Sequence, residues 1–330
     1  MPDWLLYTGS RRPHDGITRL PPPPPWRAFD GGPVLKTPPG GSGNEHQATT
    51  YRPSDDAVQQ VNAALYLRRP LLVTGPPGTG KSTLAYAVAH ELDLGPVLHW
   101  PITSRTTLRD GLYQYDPLTR LYAAGRDGAT AGRDGAPAEE DIGRYIRLGP
   151  LGTALLPYGR PRVLLVDEID KSDIDLPNDL LTIFEKGEYE LPELTRRADP
   201  SAEVMTADGP GARVTVTAGT VHCNAFPLVV MTSNGEREFP PAFLRRCVTV
   251  ELRQPSGEAE LAAIVREHLG PLAEESDDLV RRFFERSSSG TLATDQLLNA
   301  VYLCRHADAG DRRALADRIM PYLTGPVDDD

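Results

Sequence analysis

The residues with the clearest chemical potential lie between positions 71 and 83, where an apolar run leads into a glycine-rich turn. The turn has the spacing Gly75-x-x-x-x-Gly80-Lys81-Ser82, and helically spaced apolar residues follow it. Glycines let backbone N–H groups surround a polyphosphate, the lysine adds a positive charge, and the serine hydroxyl suits Mg²⁺. The pattern predicts nucleotide binding, against the alternative of a chance glycine-rich turn. The candidate nucleotide-binding residues are Gly75, Pro76, Pro77, Gly78, Thr79, Gly80, Lys81, Ser82 and Thr83.

Two adjacent acids form a second candidate site. Asp167 and Glu168 directly follow four apolar residues at 163–166. Such a run predicts a strand buried on both faces of a parallel sheet, and ligands bind at the carboxyl ends of such strands. We expect Asp167 to interact with the metal's water shell or with Ser82, and Glu168 to orient the water that attacks the γ-phosphoryl group. The alternative is that the two acids merely begin a helix, where the helix dipole favours them.

Three further candidates lie at junctions between predicted elements. Asn234 closes a buried strand predicted over 227–232, where its amide can hold the attacking water opposite Glu168. Asparagine at a strand end is more often a turn residue. Arg245 and Arg246 lie where a short helix gives way to a strand, and paired arginines at such a corner are most often solvated. In phosphoryl transfer, however, a guanidinium stabilises the transition state and commonly comes from a neighbouring subunit.

The elements that must position these residues predict an α/β domain followed by helices. Ser54-Asp55-Asp56 caps a predicted helix that carries apolar residues from Val58 to Leu67 and ends at Arg68-Arg69-Pro70, where it leads into the strand before the glycine-rich turn. We also predict a strand at 96–100, a helix at 172–185, a polar loop at 195–211, and a hairpin at 213–223 around Gly219. From residue 256 onward, four amphipathic stripes predict a small helical lid domain. The stripes begin at Leu261, Leu279, Leu292 and Leu315.

Composition limits the remaining possibilities. The 330 residues are 39% hydrophobic, which is enough for a sizeable core, and no apolar run approaches a membrane span. Because the start of the chain does not resemble a signal sequence, we expect a cytoplasmic location. The formal net charge of −11 argues against a nucleic acid partner held over a broad face. The three cysteines are far apart, so we expect reduced core residues.

Two segments are poor in aliphatic residues. Residues 1–50 contain five consecutive prolines and several glycine-proline clusters, so we predict a disordered lead-in. Its aromatic stretches at 4–7 and 26–29 are exceptions that can dock on a partner or on the chain's own core. Residues 125–141 show no periodicity and predict an exposed loop. That loop is either a surface excursion or an insertion that touches a substrate or partner.

Together these motifs resemble an AAA+ ATPase, in particular the MoxR-like group. The matching stretches are Gly75-Pro-Pro-Gly-Thr-Gly-Lys81-Ser82, Leu165-Val-Asp167-Glu168-Ile-Asp-Lys, Thr232-Ser-Asn234 and Ala242-Phe-Leu-Arg-Arg246-Cys. The similarity extends from about residue 51 to the C-terminus. It implies that residues 75–82 are the Walker A motif and that Asp167 and Glu168 are the Walker B motif. By the same resemblance Asn234 is sensor 1, and Arg246, or else Arg245, is the arginine finger.

The resemblance also implies an architecture, cofactors and partners. We expect a three-layer αβα P-loop NTPase domain at 51–254, with a parallel sheet of strand order 5-1-4-3-2, and a helical lid at 255–330. ATP and Mg²⁺ are the expected cofactors, with Ser82 and Asp167 at the metal and Lys81 among the catalytic residues. The chain is expected to form a homo-oligomeric ring, usually hexameric, and to remodel a protein client in the manner of a chaperone. The sequence does not identify that client.

One feature of many AAA+ lids is absent. A second-sensor arginine commonly lies early in the third lid helix, where this chain has Gly290-Thr-Leu-Ala-Thr-Asp-Gln-Leu. Either Arg282 or Arg286 takes its place, or the lid senses nucleotide differently. Residues 112–161 occupy the place of an insertion found in MoxR-like proteins, and the hairpin near Gly219 precedes sensor 1 as it does in that group.

Three other functions are compatible with a phosphate-binding loop. A P-loop kinase acting on a small molecule requires an acceptor pocket in place of an intersubunit arginine. A nucleotide-gated regulatory scaffold binds ATP and turns it over very slowly. A DNA-dependent motor requires an ATPase activity that responds to DNA at low salt.

Overall fold

The computed structural model of the chain describes residues 4–40, 45–122, 142–197, 199–273, 276–287, 293–306 and 318–320. The strands are β1 (Leu71–Thr74), β2 (Leu98–Pro101), β3 (Tyr113–Tyr115), β4 (Ile146–Leu148), β5 (Val163–Asp167), β6 (Glu188–Glu190), β7 (Ala202–Met205), β8 (Arg213–Val216), β9 (Thr220–His222), β10 (Leu228–Ser233) and β11 (Val248–Glu251). The α-helices are α1 (Glu45–Thr50), α2 (Asp55–Leu67), α3 (Lys81–Glu91), α4 (Leu108–Leu112), α5 (Pro150–Ala154), α6 (Leu176–Lys186), α7 (Pro192–Thr195), α8 (Pro241–Leu244), α9 (Glu258–Leu269), α10 (Asp277–Ser287) and α11 (Thr294–His306).

A five-stranded parallel sheet in the order β11-β1-β10-β5-β2 forms the centre of the molecule. Counted in chain order this is 5-1-4-3-2, so the predicted α/β fold class and strand order are confirmed. Because every strand runs in the same direction, Thr74, Asp167 and Ser233 end their strands at one edge of the sheet, which we call the carboxyl edge. The opposite edge, where Leu71 and Val248 begin their strands, is the amino edge.

The sheet separates two hydrophobic cores. Along β1 and β5 successive side chains point to opposite faces, so Leu72, Leu164 and Val166 join one core while Leu71 and Leu165 join the other. Burying each such side chain contributes about 1.5–3 kcal/mol relative to leaving it in water. Cores on both faces explain why these strands are continuously apolar, and they fix the register of the residues that follow each strand.

Local signals set the helix boundaries. The Ser54 hydroxyl oxygen accepts a hydrogen bond from the Ala57 N–H at 3.2 Å, so the predicted cap and the helix at 55–67 are confirmed. The helix predicted over 172–185 begins later, at Leu176, because a short 3₁₀ turn at 169–171 precedes it. Pro177 then lies in the first helical turn, where its missing N–H breaks no helical hydrogen bond.

The disorder predicted for residues 1–50 is wrong for residues 4–40, which pack against the α/β domain and which we call the N-terminal strap. It is also wrong for residues 45–50, which form α1. Leu6 and Tyr7 are each 1% exposed. The buried amide of Asn62 on α2 accepts hydrogen bonds from the Leu6 N–H (2.6 Å) and the Tyr7 N–H (3.1 Å), and donates to the Tyr7 carbonyl (2.7 Å). Composition did not reveal this attachment, because a single well-placed polar side chain satisfies the strap's buried backbone groups.

The buried carboxylate of Glu91 on α3 attaches the strap at a second point. It accepts hydrogen bonds from the N–H and the hydroxyl of Thr8, at 2.6 and 2.8 Å, and from the Arg11 N–H at 3.0 Å. Nδ1 of His14 accepts from the Gly16 N–H, which places the ring proton on Nε2, 3.2 Å from the Glu91 carboxylate. These hydrogen bonds supply a buried carboxylate with donors from the strap, so the strap and α3 stabilise each other.

The predicted hairpin at 213–223 is wrong in its pairing. The chain does turn at Ala218 and Gly219, both of which have positive φ. However, β8 pairs antiparallel with β7, and β9 pairs antiparallel with β6. Val221 lies opposite the buried Tyr189, and β8 finds its apolar partner in β7, which falls in the predicted polar loop at 195–211. Local alternation predicted the strands, but contacts distant in sequence decided their partners.

Helices α9, α10 and α11 form a third, separate core after β11. Its buried members include Leu261, Val265, Val280, Phe283, Leu297, Val301 and Cys304. Leu292, Leu315 and the loop predicted at 125–141 lie outside the described residues. Cys223, Cys247 and Cys304 are buried thiols, as expected of core cysteines. Within the described ranges, no helix combines the length and the apolar character needed to cross a lipid bilayer.

Candidate functional site

The glycine-rich turn lies at the carboxyl edge, between the end of β1 and the start of α3. Gly78 and Gly80 have φ values of +75° and +84°, in the left-handed region that favours glycine. Without bulky side chains the loop closes on the first turn of α3, where the helix presents its unpaired N–H groups. The sequence folds this way locally because an apolar strand is followed by glycines that tolerate positive φ and then by a segment that forms α3.

Lys81 lies inside this loop and is 9% exposed. Its Nζ donates hydrogen bonds to the carbonyl oxygens of Gly75 at 2.8 Å and Pro76 at 2.9 Å. Burial lowers the pKa of Lys81, while the carboxylates of Asp170 and Asp167 oppose that effect. The ammonium group is therefore positioned at the mouth of the loop, where a phosphate can replace the two carbonyl groups as its partner.

Ser82 and Asp167, predicted at the metal, lie in contact. The Ser82 hydroxyl donates to Oδ1 of Asp167 at 2.7 Å, the Thr232 hydroxyl donates to the same oxygen at 2.6 Å, and Nε2 of His99 lies 3.3 Å from Oδ2. Burial alone raises the pKa of Asp167, but the hydrogen bonds from His99, Thr232 and Ser82 outweigh it and lower the pKa to about 2. A hydroxyl beside an ionised carboxylate is the oxygen donor set that Mg²⁺ prefers.

Glu168 follows Asp167 with an unusual backbone. Its φ of 61° lies in the left-handed region, which costs a non-glycine residue about 1 kcal/mol or more. The Glu168 N–H donates to the Thr232 hydroxyl at 2.8 Å, which fixes this turn. Its half-exposed carboxylate forms an ion pair with Nζ of Lys171 at 2.8 Å. The hydrogen bond that Lys171 donates to the Glu168 carboxylate raises the pKa of Lys171. Our sequence reasoning missed this lysine, although the spacing i to i+3 after a strand was the available signal.

Asn234 follows β10 at the same edge, and Asp170 positions it. The Asn234 N–H donates to Oδ2 of Asp170 at 2.9 Å, and the Glu236 N–H donates to the same oxygen at 3.1 Å. Asp170 is 3% exposed, and among the described residues its Oδ1 has no hydrogen-bond partner. Sequence reasoning assigned no role to Asp170. A second acid three residues after Asp167 was the only signal, and it does not distinguish a structural carboxylate from a catalytic one.

Arg245 and Arg246 lie away from this cluster. They precede β11, whose first residue, Val248, pairs with Leu71, so both arginines are at the amino edge. The Arg246 guanidinium pairs with the carboxylate of Glu185 and donates to the Ala242 carbonyl at 3.1 Å. Arg245 is exposed. Neither arginine can reach the phosphate-binding loop of its own chain across the length of the sheet.

Two other contacts with the loop were not expected from the sequence. A Cβ added at Gly80 would lie 2.8 Å from the Tyr51 ring, which is 9% exposed and covers the loop from the segment before α2. A Cβ added at Gly78 would lie 2.6 Å from the Thr294 nitrogen and 2.8 Å from the Ala293 Cβ. The first turn of α11 therefore rests on the loop. The C-terminal helical region thus contacts the phosphate-binding loop through the Thr294 backbone and the Ala293 side chain, at the place where a second-sensor arginine was sought.

A parallel sheet of this order, with a glycine-rich loop between β1 and α3 and an acid at the end of β5, which β10 separates from β1, defines a P-loop NTPase. Residues 70–247 match the sequence model of the AAA domain, dynein-related subfamily. The match spans more than half of the chain, so the chain belongs to this family and is an AAA+ ATPase with a nucleotide-binding P-loop. Among curated proteins none matches the chain.

Proposed function

We propose that the protein hydrolyses ATP to ADP and phosphate with Mg²⁺, and that it does so in a homo-oligomeric ring of the MoxR-like type that remodels a protein client. The contact between the Ser82 hydroxyl and the Asp167 carboxylate, beside Lys81, carries this proposal. It joins the two halves of a magnesium nucleotide site that are 85 residues apart in sequence. In this proposal the α/β domain comprises residues 51–254 and the lid residues 255–330.

Residues 75–83 would hold the phosphates through backbone N–H groups and the first turn of α3. Lys81 would exchange the carbonyl groups of Gly75 and Pro76 for phosphate oxygens. Ser82 and Asp167 would hold Mg²⁺, which when bound neutralises charge on the β- and γ-phosphates. Asp167 suits this role because its low pKa keeps it ionised throughout the physiological range.

Glu168 would act as the base that orients and deprotonates the attacking water. To do so its carboxylate must leave Lys171, an exchange of partners that the partial exposure of both side chains permits. Asn234 would hold the same water from β10, with Asp170 fixing the backbone on which it is carried. Positioned acid-base catalysis of this kind contributes about 10²–10⁴-fold to a rate.

Arg246, or else Arg245, would stabilise the transition-state charge on the nucleotide of a neighbouring subunit. Because both residues lie at the amino edge, this role would be exerted on the nucleotide of a neighbouring copy, which supports the proposal of an assembly. An arginine supplied in this way is worth about 10³–10⁵ in turnover. Arg246 forms an ion pair with Glu185, whereas Arg245 is exposed. The single variants Arg246→Ala and Arg245→Ala therefore separate the roles of the two residues.

Glu168→Gln tests the hydrolase directly. We expect bound ATP to persist while turnover falls at least about 100-fold, because the glutamine cannot accept the water's proton. Lys81→Ala should lose nucleotide binding or turnover, and it serves as the comparison that separates loss of binding from loss of chemistry. Unchanged turnover in Glu168→Gln would refute hydrolysis by this site.

Subunit mixing tests the intersubunit arginine. Arg246→Ala and Lys81→Ala subunits should each be inactive alone and regain activity when mixed, because each supplies what the other lacks. Arg245→Ala is examined in the same way. If neither arginine variant gains activity on mixing, the hypothesis that a neighbouring subunit supplies the arginine is wrong. Dilution below the assembly concentration should also lower turnover per subunit steeply, whereas a monomeric kinase would keep its rate.

A nucleotide-gated scaffold is the second candidate, and the ion pair between Glu168 and Lys171 favours it. While Glu168 is paired with Lys171 it cannot accept a proton from the attacking water, so the site hydrolyses ATP slowly until Lys171 is displaced. Lys171→Met should then raise basal turnover, while Glu168→Gln should leave partner binding unchanged. The client itself is best sought with Glu168→Gln protein held in the ATP state, and addition of DNA at low salt should leave turnover unchanged.

A further inference from the structure

A cavity of about 370 Å³ at the amino edge lies among residues from the strap, from α6 and from the junctions before β1 and β11. We call its polar and aromatic lining the arginine corner, formed by Trp26, Arg27, Arg69, Glu185 and Arg246. Three guanidinium groups and one carboxylate therefore line a single recess in a chain whose formal net charge is −11. Such a local excess of positive charge at one face favours an anionic partner.

The strap holds this corner rigidly. The Arg27 guanidinium lies over the rings of Phe29 and Phe226, at 5.3 and 4.8 Å from their centroids, and donates to the carbonyl oxygens of Arg68 and Glu185. A short 3₁₀ turn, Pro25–Arg27, carries Trp26. An indole presented from a fixed, proline-rich turn loses little conformational entropy on docking.

Trp26 projects from the corner and is 76% exposed. Large exposed aromatic side chains beside arginines are typical of the residues that dominate protein interfaces. Arg69, the neighbouring lining residue, donates to the Arg245 carbonyl at 3.2 Å and so lies directly beside the arginine pair. The corner therefore combines an apolar anchor with a cluster of cations.

The opposite edge of the sheet carries the complementary charge. The carboxylates of Asp167 and Glu168, whose side chains are 24% and 42% exposed, lie at the carboxyl edge, together with the phosphates of any bound nucleotide. Two copies that met corner to corner would place guanidinium groups against one another. A head-to-tail contact, corner against carboxyl edge, pairs opposite charges and uses two different faces of each copy. Repeated head-to-tail contacts form a closed ring when the rotation between copies closes, and an open filament when it does not.

We propose that the arginine corner docks on the carboxyl edge of a second copy of this chain, with Trp26 packed in the contact. Arg69 delivers a further guanidinium, beside the arginine pair, to the nucleotide bound by that copy. The inference rests on the proposed function and extends it, because it makes the N-terminal strap part of the neighbour's catalytic site. The nucleotide of each copy is then enclosed by its own loop and by the strap and arginines of the next.

Tryptophan fluorescence tests the docking of Trp26 without reference to activity. The chain has three tryptophans, and Trp4 and Trp100 are 41% and 4% exposed. Assembly of Glu168→Gln protein on addition of ATP is monitored by sedimentation. We expect this assembly to shift the tryptophan emission to shorter wavelength. Trp26→Phe should abolish this shift, whereas the matched variant Trp4→Phe should retain it. A shift that survives Trp26→Phe in protein that still assembles would overturn the docking of Trp26.

Subunit mixing tests Arg69. Arg69→Ala protein should bind ATP normally and lose tenfold or more in turnover, and a 1:1 mixture with Lys81→Ala subunits should recover about a quarter of wild-type turnover, the share expected when copies mix at random around a ring. Arg69→Lys, which keeps the charge, should retain more turnover than Arg69→Ala. Wild-type turnover in Arg69→Ala, or no recovery on mixing, would overturn the role of Arg69.

The same experiments separate this inference from the proposed function. If wild-type protein neither assembles nor hydrolyses ATP, the proposed function fails. If wild-type protein is active and Arg246→Ala or Arg245→Ala is rescued by mixing, while the Arg69 and Trp26 variants behave as wild type, only the inference fails.

Discussion

Asn62→Ala tests the attachment of the N-terminal strap, which the sequence did not predict. Asn62 is fully buried on α2. Its side chain is the hydrogen-bond partner of three strap groups, the N–H of Leu6 and the N–H and C=O of Tyr7. Its fourth hydrogen bond goes to the Val58 carbonyl, four residues earlier on its own helix. That carbonyl has a helical partner as well, so only the three strap groups lose their partner in the variant.

Each buried backbone group left without a partner costs about 1–3 kcal/mol. Allowing for relaxation, we expect Asn62→Ala to lower the free energy of unfolding by about 3–5 kcal/mol. In a domain of this size that loss lowers the melting temperature by about 10 °C. If the strap detaches before the domain unfolds, water satisfies the three groups and the global loss is smaller. The strap then becomes accessible to proteases.

Urea unfolding combined with limited proteolysis distinguishes these two outcomes. Gln59→Ala is the matched control, because Gln59 lies on the same helix and is exposed. We expect Gln59→Ala to stay within about 0.5 kcal/mol of wild type and to keep the strap resistant to cleavage. A loss below about 1 kcal/mol in Asn62→Ala, with a strap that still resists proteases, would refute the view that these hydrogen bonds hold it.

Three further predictions follow from local features. Ser54→Ala removes the cap of α2 and should cost about 1 kcal/mol in urea unfolding. Gly78→Ala places a methyl group 2.6 Å from the Thr294 backbone nitrogen, whereas a methyl group at Gly211, which also has positive φ, meets nothing within 4 Å. In calorimetry, Gly78→Ala should weaken binding of an ATP analogue by tenfold or more, and Gly211→Ala should leave it unchanged. Burial raises the pKa of Cys223 and Cys247 from 9.0 to about 12, so the unfolded thiols ionise first and stability should fall as pH rises from 9 to 12. That fall amounts to at most about 1.4 kcal/mol per pH unit for each thiol, and native protein should resist thiol reagents at neutral pH.

Each of these predictions has an outcome that contradicts it. Equal affinities in the two glycine variants would show that the lid does not rest on the loop. Thiols that react rapidly in folded protein would show that the two cysteines are accessible. An unchanged urea midpoint in Ser54→Ala would show that water satisfies the N–H groups at the start of α2 as well as the Ser54 hydroxyl does.

The sheet and the phosphate-binding loop could be predicted because their signals are local. A strand buried on both faces must be continuously apolar, and the run at 163–166 can be read without knowing its neighbours. Gly80 and Lys81 have fixed spacing because backbone geometry around a phosphate allows few alternatives. The Ser54 cap is equally local, since donor and acceptor lie three residues apart.

What could not be predicted depends on contacts between distant residues. The strap has the composition of a disordered segment, and its order comes from Asn62 and Glu91, which lie 56 and 83 residues from their strap partners Leu6 and Thr8. The pairing of β8 and β9 was missed because alternation predicts strands without naming partners. The ion pair at Glu168 was missed because sequence spacing does not show which way a side chain turns.

The buried carboxylate of Glu91 has a practical consequence for how this chain can be divided. The stretch shared with the AAA family starts at residue 70, and a protein shortened to that point would keep the acid while discarding Thr8, Arg11 and His14. The same cut would remove Leu6, Tyr7 and α2, whose apolar side chains share a core with β1 and α3, and it would expose that core to water. The smallest part of the chain that folds stably is therefore larger than residues 70–247, the stretch that matches the family.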